Sequence, residues 1–64
     1  MKNKIPPDNY IVEIWRKGSN IPLIQYGLNL FAAESLYYAA PNSFVKRQIL
    51  DGNNNGLIIR EENK

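Results

Sequence analysis

The residue types and spacing most suggestive of chemistry lie in one polar stretch, Asp51-Gly52-Asn53-Asn54-Asn55-Gly56, between two apolar runs. With Glu62, the stretch satisfies the pattern D-x-[DN]-x-[DN]-G-x5-E, whose regularly spaced oxygens are ligands that hard cations prefer. A tight turn requires the same residue types, because Asx and Gly residues tolerate positive φ and Asx side chains bond their own backbone. Two interpretations therefore apply to the stretch: a metal loop, or the turn of a β-hairpin, which we favour.

The pattern resembles the calcium-binding loop of the EF-hand family over twelve residues, 51 to 62. The resemblance implies side-chain ligands, one backbone carbonyl and a final bidentate carboxylate. In chain order these would be Asp51, Asn53, Asn55, the carbonyl of Leu57, and Glu62. The hairpin interpretation needs no metal, and we expect no cofactor.

The side chains that most often catalyse reactions near neutral pH are missing. The chain has 64 residues with no His and no Cys, which excludes an imidazole base, a thiolate nucleophile and a structural zinc site. Ser19, Ser35 and Ser43 lack a G-x-S-x-G setting and a His partner. We therefore predict a protein that is not an enzyme.

The length and the charge of the chain limit which classes of non-catalytic protein remain. A core of this size rarely contributes more than about 3 to 5 kcal/mol, so self-association or docking onto a partner is an expected source of stability. The net charge of +2 is far from the dense basicity of electrostatic nucleic-acid binders. No apolar run reaches the about 20 residues of a membrane span, and residues 1 to 9 lack a signal peptide's apolar region. We expect a cytoplasmic protein without membrane contact.

Apolar periodicity and turn residues predict the elements that surround the loop. Strands are predicted at 10 to 17, 21 to 26, 44 to 50 and 57 to 61, and a helix at about 30 to 40. Asn29 can cap the helix, Pro41 ends it, and Pro22 marks the second strand as an edge. Five residues at helical spacing should face the sheet: Ala32, Ala33, Leu36, Ala39 and Ala40.

This element order predicts a single small α+β domain over residues 10 to 62, β-β-α-β-β, with a four-stranded antiparallel sheet and one helix packed on one face. The expected spatial order is 2-1-3-4, with a right-handed crossover. Residues 1 to 9, with Pro6-Pro7, are expected to form a flexible N-terminal tail. The third strand has an alternative, a short helix from Ser43, because either alternation turns Arg47 or Lys46 inward.

Alternation in the first strand predicts which face stays uncovered. If Val12 and Ile14 point to the helix, Trp15 points away from it. The candidate partner-binding residues on the uncovered face are Ile11, Trp15, Lys17, Lys46, Gln48 and Arg60. Trp and Arg are enriched in protein-binding hot spots, whereas sheets that bind single-stranded nucleic acid also combine aromatic rings with cations. A Trp that merely covers a thin sheet is the third interpretation.

These observations predict a non-catalytic protein-binding module, for example a small accessory or inhibitor protein that occludes a larger partner. In size and layout the chain resembles the small single-domain proteins that phages and other mobile elements use against host machinery. Its partner would be a protein, with a second copy of the chain included. The alternatives are a weak nucleic-acid-binding protein that uses the open sheet face, and a purely structural protein.

Overall fold

A computed structural model describes residues 7 to 64 of the chain. Its elements are β1 (Tyr10–Arg16), β2 (Leu23–Leu28), α1 (Leu30–Tyr38), β3 (Phe44–Asp51) and β4 (Leu57–Asn63). The strands form one antiparallel sheet in the order β2-β1-β3-β4, and α1 packs mainly against β1 and β3. The predicted class, element order and strand order are confirmed. Of the predicted tail, residues 1 to 6 lie outside the described residues.

The helix begins where the sequence predicts and ends earlier. The Asn29 side chain accepts a 2.8 Å hydrogen bond from the backbone N–H of Ala32, as an N-cap does. The last helical residue is Tyr38, and the N–H groups of Ala39 and Ala40 bond back to the last turn. Since Pro41 disfavours helical backbone in the residue before it, the helix stops short of the predicted residue 40.

The polar loop forms the turn of the β3–β4 hairpin. The N–H groups of Asn54 and Gly56 both donate 3.0 Å hydrogen bonds to the Asp51 carbonyl oxygen. Asn55 and Gly56 take positive φ values of 57° and 73°, which Asx and Gly residues accommodate. The hairpin interpretation is confirmed, and the alternative of a helix from Ser43 is not, because residues 44 to 51 are a strand.

The core lies between α1 and the two central strands. It consists of Val12, Ile14, Ala33, Tyr37, Phe44 and Ile49. The predicted helical stripe is wrong in part: Ala33 is buried and Ala40 packs partly, but Leu36 and Ala39 are exposed. Tyr37 replaces them because it lies one turn after Ala33, so these two residues face the sheet together.

A register shift between β1 and β3 changes which residues of β3 face the helix. Between β1 and β3, Trp15 pairs with Lys46 and Arg16 pairs with Phe44, so β3 carries the extra residue Val45. A bulge of this kind breaks the alternation of side chains, and Phe44 is buried in the core together with Ile49. Of the two cations that the sequence could turn inward, Arg47 and Lys46, it is Arg47 that lies on the helix side, together with Ile49.

The residues that precede β1 are tied to the sheet. The Asn9 carbonyl accepts a 2.8 Å hydrogen bond from Gly52, and the Asn9 side chain accepts a 3.0 Å bond from Gly27. A Cβ atom at position 52 would lie 2.6 Å from that carbonyl oxygen, so only glycine fits there. The Pro7 carbonyl accepts a 2.7 Å bond from the Asn53 side chain. Residues 7 to 9 therefore contact the hairpin loop, which the prediction of a flexible tail did not include.

Candidate interaction surfaces

The sheet face opposite α1 brings together four of the six predicted binding residues. Ile11 and Trp15 of β1 lie on this uncovered face beside Lys46 and Gln48 of β3. The Lys46 ammonium lies 5.0 Å from the centroid of the Trp15 ring, within cation–π range. It also lies 3.5 Å from a carboxylate oxygen of Glu61. Trp15 is half-buried, and the Lys46 ammonium lies over its ring.

Gln48 lies at the centre of the uncovered face and is almost fully buried, with 7% of its surface exposed. Its side-chain nitrogen donates a hydrogen bond to the carboxylate of Glu13, the residue opposite it in β1. Its side-chain oxygen has no hydrogen-bond partner among the described residues. Apart from this oxygen, the polar groups described on this face pair with one another, Gln48 with Glu13 and Lys46 with Glu61.

The two remaining predicted residues lie elsewhere. Placing Arg60 on the uncovered face was wrong, because the register shift between Leu50 and Ile49 pairs Arg60 with Ile49 and turns it to the helix side. There its guanidinium lies 3.7 Å from the Glu34 carboxylate of α1 and 5.7 Å from the Tyr38 ring centroid. Lys17 follows the end of β1, is exposed, and is anchored by its backbone N–H, which donates to the Ser43 carbonyl.

The geometry of the loop differs from that of a calcium-binding EF-hand loop. Asp51 accepts a 3.0 Å hydrogen bond from the Asn53 N–H through its side chain, which is an Asx turn. Glu62, the expected bidentate ligand, lies in β4 opposite Arg47, while the loop begins opposite Leu57. Arg47 lies four residues before Asp51 in β3, so at about 3.4 Å per residue the backbone of Glu62 is about 14 Å from the start of the turn. The implied ligands are therefore not brought together.

On the helix side, Arg47 links the end of α1 to β4. Its guanidinium carbon lies 4.4 Å from the ring centroids of both Tyr37 and Phe44. It donates a 2.7 Å hydrogen bond to the Tyr37 carbonyl and a 3.0 Å bond to Glu62. Burial raises the pKa of the Tyr37 hydroxyl above its ordinary value, and the positive charge of Arg47 partly offsets this effect. The hydrogen-bonding groups of Arg47 are thus paired within the chain, and they connect β3 to β4 and to the end of α1.

An unpartnered apolar surface lies along the edge strand β2. Its exposed side chains, Ile21, Leu23, Ile24 and Tyr26, are 77%, 49%, 37% and 67% accessible. Beside them a groove of about 230 Å³ opens between β2 and α1. The groove is lined by Val12, Ile14, Leu23, Ile24, Gln25 and Leu36. We call the four exposed side chains together with this groove the β2 surface.

The sequence predicted that β2 is an edge strand, but it did not predict the apolar β2 surface. Pro22 correctly marked β2 as an edge strand, although the strand begins one residue after it. The sequence did contain one indication of this surface, because residues 18 to 33 include no Lys, Arg, Asp or Glu. Leu36 was expected on the face of the helix that packs on the sheet. It is exposed at the groove because the helix faces the sheet through Ala33 and Tyr37 instead.

Comparison with known proteins gives no match: no protein-family model, no curated protein and no solved structure resembles the chain significantly. Within residues 7 to 64, no helix has the length and apolar character needed to cross a membrane. In the same residues, no three acidic, His or Cys side chains come close enough together to hold a metal ion. The surfaces described above are therefore the basis for any functional conclusion.

Proposed function

We propose that this protein is a non-catalytic protein-binding module whose contact region is the β2 surface. One observation carries the proposal. Among the described residues, twelve large apolar side chains are exposed, whereas the buried core contains six apolar residues. Exposed apolar side chains are common singly, but four of these twelve lie on or beside the edge strand β2, next to an apolar groove, and such a grouping is typical of an interaction site.

The backbone of β2 supports an extended partner. As the outer strand of the sheet, β2 pairs with β1 on one side only. The backbone groups on its free side can pair with an added strand, and pockets beside such an edge select side chains. The groove beside Leu23 and Leu36 is apolar and can take one aliphatic or aromatic side chain of that strand. A strand-forming apolar segment is thus the chemistry that fits.

The face predicted from the sequence has weaker support as the contact region. Trp15 is half-buried under the Lys46 ammonium, and Gln48 is bonded to Glu13. The nucleic-acid alternative loses support for the same reason, since Lys46, Arg47 and Arg60 are paired with Glu61, Glu62 and Glu34. Cations neutralised in this way have less charge to offer phosphates.

An accessory or inhibitor protein that occludes a larger partner is the role that fits these features. Such a protein needs a contact surface and a stable scaffold, and it needs no catalytic group. The size and layout are similar to those of small phage and mobile-element proteins, and the apolar surface supports action by occlusion. Binding of this kind relies on a few buried apolar anchors, of which Leu23 and Tyr26 are the most accessible in β2 itself.

Site-specific photo-cross-linking tests the proposal. A benzophenone amino acid replaces Tyr26 in one variant and Tyr38, an aromatic residue of similar exposure outside the β2 surface, in a control variant. We expect the Tyr26 probe, illuminated in extract of the native host, to form discrete adducts that the Tyr38 probe does not form. Excess wild-type protein should suppress these adducts, whereas excess folded Leu23→Lys protein should not. Absence of adducts, or equal adducts from both probes, would overturn the proposal.

A further inference from the structure

The distribution of charge around β2 restricts what can cover it. The chain has a net charge of +2, so two copies repel each other in general. Residues 18 to 33 are an uncharged segment that includes all of β2 and the first turn of α1. Two copies that meet along this segment bring no like charges together. The β2 surface is thus suited by its neutrality to a second copy of the same chain.

The opposite edge of the sheet has a different character. The first half of β4 is apolar and exposed, at Leu57, Ile58 and Ile59, but its second half carries Arg60, Glu61 and Glu62. These three charged residues are paired within the chain. Charged residues on an edge strand discourage the addition of a further strand. Among the described residues, β2 is the edge strand without a charged residue along its whole length, although its accessible part is short.

From these observations we propose that two copies of the protein associate through β2, pairing antiparallel across a two-fold axis to form a continuous eight-stranded sheet. The proposal rests on the proposed function, because it uses the same β2 surface, and it makes a second copy of the chain the partner in place of a larger protein. An isologous contact uses the same patch on both subunits, so one unprotected apolar edge is sufficient to build it. The pairing also places each apolar groove beside its symmetry mate, where both become covered.

The position of the axis follows from the shape of β2. Leu23, Ile24 and Gln25 pair regularly with β1, and Pro22 and a register shift near Gly27 bound this regular part. In paired antiparallel strands, two residues that lie opposite each other point to the same face of the sheet. A two-fold axis perpendicular to the sheet must therefore lie midway between one residue and the same residue of the other copy. Ile24 is the middle of the regular part. With the axis there, Ile24 faces its own copy and Leu23 faces Gln25 of the other copy.

Cysteine cross-linking of the purified full chain tests the proposal, because the chain has no cysteine of its own. Residues opposed in antiparallel strands have Cα atoms about 4.5 to 5.5 Å apart, within the range of about 4.4 to 6.8 Å that a disulfide spans. Ile24→Cys should therefore form a disulfide-linked dimer in a glutathione redox buffer. The matched control is Ile58→Cys, at an isoleucine of similar exposure on β4. We expect at least tenfold less dimer from the control.

A second measurement on the unmodified protein makes the test independent of cysteine. Sedimentation velocity over a hundredfold range of concentration should show a monomer–dimer equilibrium for the wild type, and Leu23→Lys should shift it to monomer while circular dichroism stays unchanged. Equal cross-linking of the two cysteine variants together with a monomeric wild type would overturn the proposal. If the Tyr26 photo-probe still captured a foreign protein, the proposed function would stand and only the self-association would fall.

Discussion

The guanidinium carbon of Arg47 lies 4.4 Å from the ring centroid of Tyr37, and Nη1 of the same arginine donates a 2.7 Å hydrogen bond to the Tyr37 carbonyl. Only 13% of the Arg47 side chain is exposed. We predict that Arg47→Ala lowers the free energy of unfolding by about 2 to 4 kcal/mol, because stacking and three hydrogen bonds are lost. Urea denaturation measures the change. The exposed Arg16→Ala control should stay within about 0.5 kcal/mol, and equal losses in both variants would contradict the prediction.

The raised pKa of Tyr37 predicts an alkaline sensitivity. The folded state retains the hydroxyl proton more firmly than the unfolded state, whose tyrosine titrates near its ordinary value of about 10. This contribution to stability is complete below that pH and is lost as the pH rises through the folded pKa. Thermal melts of wild type and Tyr37→Phe from neutral pH into this range should show a shallower alkaline decline in the variant. The exposed Tyr26→Phe control should follow the wild type, and a decline unchanged by Tyr37→Phe would rule out this origin.

A carboxylate at position 48 should be poorly tolerated. Gln48→Glu places a buried negative charge against Glu13 and opposite Glu61, at a cost of about 2 kcal/mol at neutral pH. The pKa of the new carboxyl is therefore raised in the folded state, so stability should be regained as the pH falls below the unfolded value of about 4.3. Denaturation midpoints relative to wild type at several pH values measure this recovery. Asn42→Asp, at an exposed amide outside the β2 surface, should show neither the loss nor the recovery.

Trp15→Ala distinguishes the uncovered face from the β2 surface. We expect the variant to fold with a loss of about 1 to 2 kcal/mol, since a half-buried ring and its contact with Lys46 are removed. Adduct formation by the Tyr26 photo-probe should be retained. A folded Trp15→Ala protein that no longer forms the adducts would instead locate the contact on the uncovered face.

Much of the fold was predictable because local signals agree with the global pattern. Asn29 satisfies the first helical N–H groups, and Pro41 limits the helix. The Asx and Gly residues after Asp51 take the positive φ values that a hairpin turn requires. Alternation in β1 correctly assigned Val12 and Ile14 to the core. Each of these features depends on neighbours in sequence, and this is why spacing alone was informative.

The candidate site was less predictable because strand parity depends on the partner strand. Val45 is the extra residue that disrupts the alternation of β3. Its backbone does not have a positive φ, so the position needs no Gly or Asn that would mark it in the sequence. The register shift near Ile59 likewise moves Arg60 to the helix side, and no Gly or Pro in β4 indicates this shift in the sequence. Exposure of Leu23 and Leu36 depends on how far a short helix reaches across the sheet. Such features emerge only from the packed structure.

The difference between the two sheet edges limits how far strand addition can proceed. A sheet with two receptive edges could add copies at both ends and grow without limit, which is the geometry of a fibril. In the dimer proposed above, the charged second half of β4 is expected to discourage strand addition at the other edge, so that each copy pairs through β2 alone. Replacing Arg60, Glu61 and Glu62 by threonine would remove that stop while leaving the edge free to pair. We therefore expect the charges of β4 to limit polymerisation, in addition to forming the ion pairs within the chain.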